Sequence, residues 1–270
     1  MTVPAGSVND TEFTAAGFDA VFAQMAASQI GWRLSSEAYG EEYPSEVQPY
    51  GTTTIWTLGR FVSELRLDRD RVLVDLACGR GGPGLWVARA TGARLIGVDW
   101  SRVGVAAAID RASEFVPDGR ATFRVGTLDA TGLPDHIADA AMCADAIFFA
   151  PDRVAAFAEA ARILKPGGRF VFTCMEDRSE DDTSRGRVSR HGVPDWTPIL
   201  EAGGLQIERK EEIPRFVQQL QRMYALWLAN LDAIRCEHGD EAADDMAEEA
   251  RSVGPTLSTR VPLIITARQG

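Results

Sequence analysis

Two aspartates stand at the ends of short apolar runs, and the stretch between them is rich in glycine: V-L-V-D-L-A-C-G-R-G-G-P-G, with Asp75 ahead of the loop, and then L-I-G-V-D, ending at Asp99. A carboxylate at the tip of the second run can accept hydrogen bonds from both hydroxyls of a ribose. Gly79 and Gly81 fall where a side chain would keep a ligand away from the backbone, and Gly84 would let the next helix pack closely on the first strand. The predicted ligand therefore carries an adenosine-like ribose. Gly79-x-Gly81-x-x-Gly84, with an acid about twenty residues on, also satisfies the dinucleotide fingerprint, so a nicotinamide enzyme is the natural competitor. Its common short-chain form needs a Tyr-x-x-x-Lys pair. The two lysines, Lys165 and Lys210, follow Ala161 and Gln206 at that spacing, which excludes that form.

These residues need elements to hold them. Arg71 to Asp75 reads as a strand, and Pro83 suits the first turn of a helix, where its missing N–H costs nothing. Leu95 to Val98 forms a second strand, and Ser101 caps a helix from Arg102 to about Phe115. Ala121 to Val125 is a third strand, with Leu128 and Asp129 at the tip beyond it. Ala140 to Asp145 is a fourth, after which Pro151 starts an Ala-rich helix that runs to Leu164. Lys165-Pro166-Gly167-Gly168 makes a tight turn into a fifth strand, Arg169 to Cys174, and its expected role is topological.

Taken in order, D-L-A-C-G-R-G-G-P-G, G-V-D-W-S and R-I-L-K-P-G-G-R-F resemble the class I S-adenosylmethionine-dependent methyltransferases, over roughly residues 70 to 175. The resemblance implies an α/β fold: a doubly wound, mostly parallel seven-stranded sheet. It also implies S-adenosyl-L-methionine as cofactor, held by Asp75, Ala77, Cys78, Gly79, Gly81, Asp99, Trp100, Leu128 and Asp129. Asp129 would accept from the adenine amino group, and Trp100 would wall the adenine or pack a strand end. Ala77 stands where the family usually has its first glycine, so a slightly tighter loop with retained binding is expected. Small-molecule members commonly carry an acid at the fourth strand's tip and then a histidine. Asp145 keeps the acid, but Phe149 and Ala150 occupy the histidine's place.

Outside this core, apolar residues at helical spacing from Thr11 to Gln29, among them Phe13, Phe18 and Phe22, predict an amphipathic helix after a disordered start over residues 1 to 10. Asn9-Asp10-Thr11 fits a glycosylation pattern that carries no weight in a cytoplasmic protein. Residues 40–51, with two prolines and two tyrosines, form a loop, and Ile55 to Leu65 is the helix leading into the core. Residues 1–66 thus read as a helical cap of the kind many small-molecule members fold over the sulfonium, and 67–270 as the methyltransferase domain. Within that domain the polar run 176–196 reads as a lid, and 213–258 as a helical insertion ahead of the last strand, Val261 to Ala267. Pro194 to Ala202 is a short helix and Leu205 to Glu211 a strand. Pro214 opens a long helix in which Phe216, Leu220, Met223, Tyr224, Trp227, Leu231 and Ile234 keep three-and-four spacing, and Asp240 to Glu249 is the solvated face of the next. That aromatic face is most simply core; an apolar wall over the acceptor is the alternative. Phe148, Phe149, Trp196, Tyr224 and Trp227 are the candidate substrate contacts.

Composition narrows the rest. The chain has 270 residues, 45% of them hydrophobic, which is enough for one core with accessory helices. A net charge of -11 works against nucleic-acid partners, which call for a basic face. Cys78, Cys143, Cys174 and Cys236 show neither metal spacing nor a disulfide framework, and the acids Glu176, Asp177, Glu180, Asp181 and Asp182 read as a solvated run, so no metal is expected. No run approaches membrane-spanning length, and a cytoplasmic protein, working as a homodimer, is expected. The cofactor's sulfonium activates its own methyl group, so the protein's task is to hold a nucleophile in line and exclude water. A base is needed only for a hydroxyl or an acidic carbon. His191 in the expected lid is the candidate base, ahead of His136 and His238, and Asp145 the second catalytic candidate. The expected reaction is O-, N- or C-methylation of a small metabolite. The alternatives are a cyclase that binds but does not consume the cofactor and, behind it, a nicotinamide oxidoreductase.

Overall fold

Along β1 (Val72–Leu76), Leu73 packs toward one face of the sheet while Val74 and Leu76 pack toward the other, and both faces are covered. The same alternation separates Val171 from Phe170 and Phe172 in β5 (Leu164–Asp177) and Ile264 from Ile265 in β8 (Arg260–Gln269). Strands buried on both faces need helices on both faces, which is the doubly wound arrangement. The computed structural model describes residues 14–177 and 192–270.

The remaining strands are β2 (Arg94–Asp99), β3 (Ala121–Val125), β4 (Ala138–Cys143), the two-residue β6 (Gly192–Val193) and β7 (Leu205–Glu212). The sheet order is β3-β2-β1-β4-β5-β8-β7, with β6 pairing β5 beside Met175. Pairings are parallel except at β8, which runs antiparallel to both neighbours. The chain order reverses between β1 and β4, and ligands of open α/β sheets bind at the carboxyl side of such a switch point.

Ten α-helices complete the described chain: α1 (Ala15–Ala27), α2 (Ile30–Tyr39), α3 (Ile55–Leu65), α4 (Gly82–Thr91), α5 (Arg102–Phe115), α6 (Arg153–Ile163), α7 (Thr197–Ala202), α8 (Phe216–Ala229), α9 (Leu231–His238) and α10 (Asp240–Val253). Helix α5 starts where sequence places it because Ser101 Oγ accepts from Gly104 N at 2.9 Å. Four expectations shift. The N-terminal helix ends at Ala27, and α2 restarts after Ser28, whose Oγ accepts from Gly31 N while Glu237 of α9 accepts from Gln29 N and Ile30 N. The helix expected from Pro151 begins at Arg153, because the Asp152 side chain caps Ala155 N. The Lys165–Gly168 turn is a bulge inside β5, where the step from Leu164 to Arg169 is set against the step from Ala138 to Ala140 in β4. The long helix after Pro214 is two helices, parted at Asn230. Residues 1 to 10, the Asn9 site, Phe13, most of the expected lid with Glu180, Asp181 and Asp182, and His191 lie outside the described residues.

Candidate functional site

A cavity of about 380 Å³ opens across the carboxyl ends of β1, β2, β3 and β4, and each strand contributes the residues that immediately follow it. After β1 come Ala77, Cys78, Gly79 and Arg80; after β2, Trp100; after β3, Gly126 to Ala130; after β4, Ala144 to Ala146 and then Phe149 to Pro151. Asp75 and Asp99, at the strand ends, lie in the same lining. The structure thus brings together every expected cofactor residue but Gly81. Its φ is +79°, and an added Cβ would lie 2.9 Å from Ala108 Cβ, so glycine is needed there for the backbone and for packing on α5.

The loop is built around its two aspartates. Asp99 is buried; its Oδ2 accepts from Gly79 N at 2.7 Å and its Oδ1 from Ser101 N at 2.8 Å. Burial pushes the Asp99 carboxyl up, against the pull of those two amides. Each oxygen keeps a further lone pair for a ligand. Asp75 lies so close under α4 that a Cβ on Gly84 would meet its Oδ2 at 2.3 Å, which is the close helix–strand approach expected of Gly84. Burial and then the nearby Asp99 charge push the Asp75 carboxyl well up, and its Oδ2 has no hydrogen-bond partner among the described residues. Ala77 takes φ +57°, a left-handed conformation that costs a non-glycine residue roughly 1–2 kcal/mol. The alanine in glycine's place therefore carries strain.

The opposite wall comes from the N-terminal residues. Phe18 and Phe22 of α1, with Gln48, Pro49, Tyr50 and Thr53, line the cavity. Phe18 is the hub of the aromatic contacts, with ring centroids at 5.1 Å from Phe149, 5.6 Å from Trp100, 5.7 Å from Phe22 and 5.9 Å from Tyr50. Two latches hold this wall down. Asp19 Oδ1 accepts from Ser101 Oγ at 2.5 Å and from Val103 N at 3.1 Å. Asp145 Oδ2 accepts from Thr52 N, Thr52 Oγ1 and Thr53 Oγ1, while its Oδ1 accepts from Thr173 Oγ1 at 2.7 Å. Asp145 also has φ +53°, a strained tip held by these bonds. Sequence periodicity shows Phe18 and Phe22 only as part of an amphipathic helix; the expectation of a cap over residues 1–66 is what points to this wall.

Of the expected substrate contacts, Phe149 lines the cavity and Phe148 packs against it with rings tilted by 56°, centroids 4.6 Å apart. Trp196, Tyr224 and Trp227 do not reach it. Trp196 is fully buried against Phe157 and Phe172, with its indole N–H donating to the Met175 carbonyl at 2.9 Å. Tyr224 is buried with its hydroxyl on Glu249, and Trp227 packs against it in the core that joins α2 and α8. His136 Nδ1 lies 2.7 Å from the Leu164 carbonyl, and His238 sits by Ser28 and Glu237, so both work within the scaffold.

Strand tips, a glycine loop and an acid at the second strand's end define a nucleotide-cofactor enzyme of the doubly wound α/β class. A family model described as "Methyltransferase domain" matches residues 74–172. The chain is 31% identical over 216 residues to methyltransferase GfsG of Streptomyces halstedii, covering 79% of this chain and 69% of that one. It is 27% identical over 213 residues to 27-O-demethylrifamycin SV methyltransferase of Amycolatopsis mediterranei, covering 75% and 76%. The crystal structure of the [4+2]-cyclase SpnF superposes with a TM-score of 0.69 at 24% identity, covering 78% of this chain and 79% of that one, a likeness of fold alone. The chain belongs to the class I S-adenosylmethionine-dependent methyltransferases. It is an enzyme of that class, and S-adenosyl-L-methionine is its cofactor.

Proposed function

We propose that this enzyme methylates a small organic acceptor of natural-product type, most simply at a hydroxyl, in the cavity between the strand tips and the aromatic wall. The observation that carries the reading is the division of that cavity: polar cofactor positions on one side, and Phe18, Phe22, Tyr50 and Phe149 on the other. The O-methylation is supported by the relative named for 27-O-demethylrifamycin SV.

The residues present fit the cofactor. Asp99 takes the ribose hydroxyls on the lone pairs that Gly79 and Ser101 leave, and Asp129, exposed at a turn tip, takes the adenine amino group. Asp75 Oδ2, and Nε and Nη1 of Arg80, are buried polar atoms without hydrogen-bond partners among the described residues, and the two residues share the cavity lining. Their opposite charges suit the ammonium and carboxylate of an amino-acid end. When bound, the cofactor supplies an activated methyl group. The protein's share is then to hold the acceptor in line and keep water out, which the aromatic wall does. Asp145, with both oxygens engaged by threonines, orients this wall. His191, in the expected lid and outside the described residues, is the proposed base.

The test is a methyl-transfer assay on a panel of phenolic and macrocyclic alcohols read by mass. Product one methyl group heavier is expected, with His191→Ala lowering kcat by about 10²–10⁴-fold at nearly unchanged cofactor affinity. Activity should fall below about pH 6.5, the ordinary imidazole value. Near-normal turnover in His191→Ala would remove the base and leave positioning alone, as an amine acceptor permits. Cytoplasmic location and a homodimer belong to the same proposal, and sedimentation at micromolar concentration checks the latter.

A further inference from the structure

The R-I-L-K-P-G-G block joins α6 to β5, and nothing in the proposed chemistry uses it. Two side chains at the end of α6 nonetheless reach the turn that follows β3. Glu159 is 9% exposed, and its Oε1 accepts from Thr131 N at 2.8 Å and from Thr131 Oγ1 at 2.5 Å. Arg162 grips the same carboxylate, Nη2 to Oε1 and Nε to Oε2, both at 2.7 Å. Its Nη2 also donates to the Leu133 carbonyl at 2.8 Å, and its Nη1 pairs with Asp135. This ion pair, with its carboxylate buried and its guanidinium part-exposed, therefore holds Thr131, Leu133 and Asp135, while Arg124 Nη1 donates to the Gly132 carbonyl at 2.8 Å.

The turn on the near side of Thr131 has little else to hold it. Thr127 and Ala130 exchange two long bonds, N to O at 3.2 and 3.3 Å, and Thr127, Asp129 and Ala130 are exposed. Bonds of that length are weak, whereas those from Thr131 to Glu159 are short and charge-assisted. Thr131 itself is 1% exposed. The cavity-lining tip, Leu128 and Asp129, is thus an exposed turn standing on a buried anchor.

We propose that the Glu159–Arg162 pair is a positioning device for the cofactor's purine: acting through Thr131, it fixes the turn 127–130 so that Leu128 and Asp129 face the base. The inference rests on the reading of Asp129 as the acceptor for the purine amino group. It gives α6 two tasks, because the residues just ahead of it, Phe149 to Pro151, line the acceptor side of the same cavity. One rigid helix then ties the purine end to the end where methyl is transferred, with neither Glu159 nor Arg162 among the cavity-lining residues.

The experiment compares calorimetric affinities for S-adenosylhomocysteine and for its inosine counterpart, in which oxygen replaces the 6-amino group. The variants are Thr131→Val, Thr131→Ser, Glu159→Gln and Asp129→Ala. Wild type should prefer the adenine form, and Asp129→Ala should abolish the preference. Thr131→Val should weaken the adenine form about tenfold and leave the inosine form within about twofold, since what is lost is one positioned hydrogen bond to a charged group. Thr131→Ser should restore the preference, and Glu159→Gln, which keeps an acceptor for Thr131, should fall between. At saturating cofactor, kcat of Thr131→Val should stay within about twofold of wild type. Equal losses for both ligands in Thr131→Val, or a full preference in a folded Thr131→Val, would overturn the positioning role. Should Thr131→Val fail to fold, Glu159→Gln decides the matter by the same ratio: a reduced preference upholds the role, and an unchanged one overturns it. No preference in wild type, or a preference that survives Asp129→Ala, would instead overturn the reading of Asp129.

Discussion

The two walls of the cavity are built in different ways. The cofactor wall is a row of residues at strand tips, most of them placed by sheet register, with Leu128 and Asp129 held through Thr131, and its Asp99 is pinned by backbone amides. The aromatic wall hangs from side-chain latches, Asp19 on Ser101 and Val103, and Asp145 on Thr52 and Thr53. Sheet register cannot change without unfolding, whereas a latch of a few hydrogen bonds can open. The cofactor geometry is therefore intrinsic to the core, and the acceptor wall is a separable part that one fold can vary.

The sharpest break of that contrast is on the cofactor side. Asp99→Ala removes the acceptor for two ribose hydroxyls and also frees the Gly79 and Ser101 amides. Affinity for S-adenosylhomocysteine should fall by roughly 2–4 kcal/mol in calorimetry, with acceptor binding barely touched. On the other wall, Asp145→Asn keeps the left-handed tip, since asparagine tolerates φ +53°, but weakens the latch. Acceptor KM should rise about tenfold while cofactor affinity moves less than about threefold; equal changes in both would merge the two walls into one unit.

Asp75 sharpens the comparison through pH. Its carboxyl lies well above the usual range in the folded protein, for reasons of burial and then Asp99. The fold thus binds this proton more tightly than the unfolded chain does. Its contribution favours the fold at low pH and is lost as pH rises through the raised pKa. Asp75→Asn should therefore raise the Tm of the cofactor-free enzyme at neutral pH and flatten its decline with pH, while weakening the cofactor, whose positive charges favour the ionised form. Cofactor affinity of the wild type should also decline as pH is lowered toward that raised pKa. A Tm unchanged or lower in Asp75→Asn at pH 7.5 would contradict this. Smallest of all, Ala77→Gly relieves a left-handed alanine at φ +57° but gives back chain entropy on unfolding. A gain below about 1 kcal/mol in denaturant unfolding is expected, with cofactor affinity unchanged.

The division between the walls also marks what could be read from sequence. Helix α5 and strand β3 fall on the expected residues because their signals are local, such as the Ser101 cap and a short alternating run between turns. Asp75, the glycines and Asp99 stand out by their spacing around one strand–loop–helix unit, whereas Leu128 and Asp129 come only with the family resemblance. Distant partners left no such mark. The break before α2 depends on Glu237, more than two hundred residues away, and Trp196 lies in a stretch whose polarity suggests a lid, yet fills the core between Phe157 and Phe172. The aromatic stripe of Tyr224 and Trp227 has the spacing of a ligand wall or a core face alike, and packing against α2 decides for the core. Phe18 and Phe22 show only helical spacing in the sequence, and they face the cavity because the tertiary fold sets α1 over the glycine loop.

The central claim is that the strand-tip wall is an S-adenosylmethionine site, and titration of the wild-type enzyme with S-adenosylhomocysteine and with NAD in parallel tests it most directly. Saturable binding of S-adenosylhomocysteine in the micromolar range, lost in Asp99→Ala, is expected, with no heat from NAD. Tight binding of NAD with no response to S-adenosylhomocysteine would contradict it.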